Sequence, residues 1–154
     1  MKDPHHSPNP SLELLDCLEA KRRSLEEFLA LTKSLKDRLM TQDWPAVEGV
    51  LKQRQDLIVT IEQMDVRIQD LRSRQPLDQD ALLDGQKKKI SGLLDNLRDI
   101  SEKAQTVDKE CVDRMTDWRG QIKSQLSRMR DNLKAVHGYA RKPTRPPKFL
   151  DVVR

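Results

Sequence analysis

Aromatic residues are scarce in this 154-residue chain: Phe, Trp and Tyr together make up 3% of it. A thick core filled by rings is therefore excluded, and any core must be a narrow seam of Leu, Ile, Val and Met. Glycine is also scarce, at five residues, and no Asn-Gly or Asp-Gly turn lies between alternating β-branched residues. Hairpins and sheets thus have no signal. No apolar run approaches the length that spans a membrane, and the first residues lack the apolar stretch of a signal peptide. The expected location is the cytoplasm. There the two cysteines, Cys17 and Cys111, would stay reduced as small apolar fillers on separate helices.

Catalytic constellations are missing as well. No serine sits in a nucleophile elbow and no glycine loop could cradle a phosphate. Glu13, Asp16, Glu19, Glu26 and Glu27 read as the solvent face of a helix. His5 and His6 are adjacent but lack the converging third and fourth ligands of a metal site. His137, near a helix end, has nothing beside it that would make it a base. The expectation is a protein without catalytic residues, cofactor, metal or small-molecule substrate.

What the chain does have is periodicity, cut into pieces by its prolines. Residues 1–10 hold Pro4, Pro8 and Pro10 and read as a flexible leader. Ser11 is a plausible N-cap for a helix over about 11–41, with Leu15, Leu18, Leu25, Phe28, Leu29, Leu35 and Leu39 as its seam. Arg22 interrupts that stripe and is expected to snorkel outward. At Thr41-Gln42-Asp43-Trp44-Pro45 the chain turns: Asp43 can cap the next helix, and Pro45 suits its first turn. Trp44 is expected to plug the end of a bundle there. The second helix runs over about 44–73, and so short a turn makes it antiparallel to the first. Gln75-Pro76-Leu77-Asp78 is the second break.

A third helix then spans about 80–137. Ile90, Leu94, Leu97, Ile100, Ala104, Val107, Cys111, Met115, Trp118, Ile122, Met129, Leu133 and Val136 recur at three-then-four spacing, which no strand could satisfy. Gly138 reads as its C-terminal cap. The fold class expected is all-α: an elongated antiparallel three-helix bundle or coiled coil with a long third helix and flexible ends. At about 1.5 Å per residue the third helix would reach about 80 Å, against about 45 Å for each of the others. Either it bends or breaks, with Gly120 the obvious place, or one end carries an apolar stripe that its own chain does not cover. Met115, Trp118, Ile122, Met129, Leu133 and Val136 are accordingly the candidate partner-binding residues, since methionines beside a tryptophan make an adaptable groove for amphipathic helices.

Charged residues are plentiful, at 35%, and the net charge of +4 has an address. Beyond Tyr139 stand five basic residues, Arg141, Lys142, Arg145, Lys148 and Arg154, against the single acid Asp151, so residues 1–138 are balanced. The body is no nucleic-acid surface. Residues 139–154 form a basic, proline-rich tail in which Pro143, Pro146 and Pro147 forbid helix, closing on the apolar Phe149-Leu150-Asp151-Val152-Val153. Such an ending suits a docking peptide.

The first two helices resemble a known family. Leu25-Glu26-Glu27-Phe28-Leu29-Ala30-Leu31-Thr32, then Asp43-Trp44-Pro45-Ala46-Val47, then Leu51-Lys52-Gln53-Arg54-Gln55-Asp56-Leu57-Ile58 are similar to the FlgN-like flagellar export chaperones, over about residues 12–72. The remainder is similar in length and helicity. The resemblance implies a cytosolic chaperone. Its clients would be the C-terminal amphipathic segments of the hook–filament junction proteins, which it would deliver to the flagellar type III export gate. Client binding would then fall on the third-helix residues named above, and Tyr139, Phe149 and Leu150 would dock to the gate. Two other classes use the same features: a homo-oligomeric coiled-coil scaffold, a homodimer at its simplest, or an adaptor whose basic tail meets nucleic acid or a membrane surface.

Overall fold

The computed structural model describes residues 10–74 and 83–140, and among them three α-helices and no strand. The expected leader, the break at 75–78 and the tail from 141, with Phe149 and Leu150, lie outside the described residues. The helices are α1, Pro10–Thr41, α2, Trp44–Arg74, and α3, Asp84–Ala140. The fold is an all-α helical bundle. By compactness the chain divides after Met115, and the helices pack on one another within the first unit.

Each helix contributes a seam with coiled-coil spacing. In α1 it is Leu14, Leu18, Leu25, Phe28, Thr32, Leu35 and Leu39; in α3 it is Ile90, Leu93, Leu97, Ile100, Ala104, Val107 and Cys111. Two expectations shift by one residue: Leu14 rather than Leu15 is the buried leucine at the start of α1, and Leu93 packs inward while Leu94 is exposed. One slip along a helix turns a side chain by about 100°, enough to carry it off a narrow seam. The core forms two clusters. Leu14, Leu18 and Leu97 bury with Ile68 and Ile90 at one end, while Leu35, Leu39, Val47 and Cys111 bury with Val50 and Val107 at the other.

The ion pairs report the directions of the helices. Glu13 pairs with Arg67 and Lys21 with Asp65, so α1 and α2 run antiparallel. Arg54 meets Asp108 while Ile68 packs near Leu97, so α2 and α3 are antiparallel as well. Lys36 pairs with Glu110, and Leu14 lies against Leu97, which makes α1 and α3 parallel. Arg22 does not simply reach into water. Its guanidinium forks between Glu19 and Glu26 on its own helix, at 2.5 Å to each.

The α1–α2 turn follows from local chemistry. Gln42 takes a left-handed backbone, φ 56°, and the Asp43 N–H donates to the Arg38 carbonyl at 3.2 Å, which is the long bond of a Schellman ending. Asp43 then caps α2: its side chain accepts the Ala46 N–H at 3.3 Å and its carbonyl accepts the Val47 N–H at 2.9 Å. Pro45 falls in the first turn, where no N–H is needed. Trp44 keeps 38% of its surface exposed, and the residue of this turn that enters the buried cluster is Val47.

Helix α3 differs from its sequence reading at both ends, and of the two alternatives left open at Gly120 it takes the continuous one. Leu83 stands outside it, and the Leu83 carbonyl accepts the Gln86 and Lys87 N–H groups, so the helix opens at Asp84 and not near residue 80. The helix passes unbroken through Gly120. It also runs past Gly138, which has no positive φ and caps nothing, to Ala140. A lone glycine costs a helix only about 1 kcal/mol, too little to stop a helix that continues on both sides.

Candidate functional site

A polar layer crosses the seams between the two apolar clusters. Arg54 occupies a core position of α2, with its side chain only 12% exposed. It lies over the Phe28 ring of α1, 4.7 Å from guanidinium carbon to centroid, and pairs with Asp108 of α3. Its Nε–H has no hydrogen-bond partner among the described residues. One turn away, the Thr32 hydroxyl donates to the Phe28 carbonyl at 2.8 Å, and the Cys111 thiol points at the Thr32 carbonyl, 3.7 Å away. Burial, with Asp108 adding to it, pushes the Cys111 thiol above its ordinary value. A buried thiol held neutral is a packing group rather than a nucleophile. This layer ties three helices into one register.

Two grooves open in the first unit. One of about 650 Å³ is lined by Leu18, Lys21, Asp65, Ile68, Arg72, Leu94 and Leu97, and one of about 270 Å³ by Leu25, Phe28, Ser101, Ala104, Gln105 and Asp108. Neither gathers convergent catalytic groups. No group of His, Cys, Asp or Glu among the described residues is arranged to hold a metal ion. No helix of the described residues is long and apolar enough to cross a membrane.

The sequence-predicted partner residues all fall on α3. Met115 closes the first unit and is exposed. In the second unit Trp118 is half-buried, while Ile122, Met129, Leu133 and Val136 are exposed, from 36% to 63%. No protein-family model matches the chain, and no curated protein or solved structure is found similar to it. The site therefore stands on its own geometry. Among the described residues, the two buried clusters contain no residue beyond Cys111.

Leu126 belongs to the same stripe and was missed from the sequence, although its spacing announces it. It lies four residues after Ile122 and three before Met129, and it is 56% exposed. Trp118, Ile122, Leu126, Met129, Leu133 and Val136 together occupy about 80° of the helix circumference. Tyr139, expected beyond a helix cap, lies instead in the last turn of α3 and is 76% exposed. Of its expected companions, Phe149 and Leu150 lie outside the described residues.

Proposed function

We propose that this chain is a cytoplasmic export chaperone. It would bind the amphipathic C-terminal segments of flagellar hook–filament junction proteins and hand them to the flagellar type III export gate. The observation that carries this reading is the apolar stripe of α3 that runs from a half-buried Trp118 through the exposed Ile122, Leu126, Met129, Leu133 and Val136 at coiled-coil spacing, none of them in the buried clusters of the described residues. The resemblance of residues 12–72 to FlgN-like chaperones supports the class of client proposed. Binding is helix-in-groove and coupled to client folding: a segment with little order of its own lays its apolar face on the stripe and becomes helical there. Most of the gain is apolar area withdrawn from water, and part of it is spent on ordering the client.

Tyr139, with Phe149 and Leu150, is assigned to the export gate. Deleting residues 139–154 is expected to leave client binding intact and abolish export in cells, and normal export by the truncated chain would refute that assignment. For the client face, Trp118→Ala is expected to weaken client affinity by roughly 2 kcal/mol, about 30-fold, as interface aromatics do. The check is a titration with the client segment alongside a circular dichroism melt. Unchanged affinity in a folded variant removes Trp118 from the site. A coiled-coil scaffold would pair the same stripe between copies, and a stable dimer that excludes the client in light scattering would favour it.

A further inference from the structure

The charge of α3 changes character where the chain divides. Residues 84–115 carry seven acids and seven basic residues, whereas residues 116–140 carry Arg119, Lys123, Arg128, Arg130 and Lys134 against Asp117 and Asp131. The excess is placed with order. Arg119, Lys123, Arg130 and Lys134 follow one another at intervals of four, seven and four residues, which puts all four along one flank of the apolar stripe. The other flank carries Gln121, Gln125 and Asn132, with Arg128 farther round, and both acids lie on the face away from the stripe. None of the four cations has an ion pair with any described residue. Arg119 with Lys123, and Arg130 with Lys134, are instead like-charge neighbours one turn apart, which by itself weakens a helix.

We infer that the partner of this face is an acidic amphipathic helix, with a row of carboxylates running beside its apolar face for about 22 Å, the span of Arg119 to Lys134. The inference rests on the reading of this stripe as a docking face and adds the charge its occupant carries. A second copy of the chain fits poorly: pairing antiparallel sets the cation row against itself, and pairing parallel sets it against amides. A bilayer fits poorly too, because a stripe of about 80° is a coiled-coil seam, narrower than the apolar face of a surface helix. Carboxylates opposite the row would relieve both like-charge pairs and fix which way round the partner lies.

The test uses the full chain and two synthetic helices of about 25 residues, identical in their apolar heptad positions, one with Glu and one with Lys on the flanks. The Glu peptide is expected to bind at least about ten-fold more tightly at low salt, with the difference shrinking as salt screens it. Reversing the row with R119E, K123E, R130E and K134E is expected to invert the order while circular dichroism stays unchanged. Equal affinities, an order unmoved by the reversal, binding of neither peptide, or binding to phosphatidylglycerol vesicles without preference between the peptides would each overturn the inference. The variant Ile122→Ser with Leu133→Ser separates the two readings. If it loses both peptides and the wild type shows no charge preference, the docking face stands and the acidic partner falls. If it keeps full affinity and the preference, the apolar docking face itself is wrong.

Discussion

Arg54 takes a seam position where a leucine would bury without penalty, and its guanidinium is held between a ring and a carboxylate. Such a pair adds more to register than to stability, since desolvating the cation offsets much of the attraction. Asp108 remains 41% exposed, so water screens the pair from one side. A double-mutant cycle with Arg54→Met and Asp108→Asn, followed by urea unfolding, is expected to give a coupling of about 1 kcal/mol, and a coupling near zero would remove the pair from the fold. Cys111, 1% exposed with its thiol pushed up, is expected to resist iodoacetamide in the native chain while Cys17 reacts. Mass spectrometry of the alkylated protein reads this directly. The sign for stability follows: below the ordinary thiol value, 9.0, Cys111 costs nothing, and as pH rises past it the folded state loses ground because only the unfolded thiol ionises freely.

At the level of the helices, much was legible because the signals were local. Asp43 and Pro45 announce the start of α2, and three-then-four spacing announces each seam. What was not legible depended on partners distant in sequence. Nothing near Leu93 and Leu94 says which of the two faces Leu14 and Leu18, and nothing near Arg54 says that Phe28 and Asp108 receive it. Gly138 reads as a stop because glycine often is one, yet the helix continues to Ala140. Gly120 gives the sharpest test of α3 as a continuous element. A Cβ there would meet nothing within 4 Å. Gly120→Ala is therefore expected to stabilise the helix by about 0.5–1 kcal/mol, seen as slower amide exchange over residues 116–126. Faster exchange would mean that the helix is broken at this point.

For the molecule as a whole, the buried clusters among the described residues end at Cys111, while the apolar face of α3 is exposed from Ile122 to Val136. Five apolar residues exposed in a single row are an uncommon expense for a chain with so few to bury, and the proposed chaperone role gives them a use. The candidate face was legible from periodicity alone. The cation row beside it is not legible in the sequence by itself, because four basic residues scattered over sixteen positions look like ordinary solvated charge.

The most direct measurement is an isothermal titration of the full chain with the C-terminal segment of a hook–filament junction protein, repeated with Ile122, Met129 and Leu133 all replaced by serine. These three residues are exposed, so the variant is expected to keep its helical circular dichroism and its melting curve. The account expects one segment bound per chain by the wild type, and affinity reduced at least about 100-fold in the variant. A wild-type chain that does not bind the segment, or a folded variant that binds it as tightly as the wild type, would contradict it.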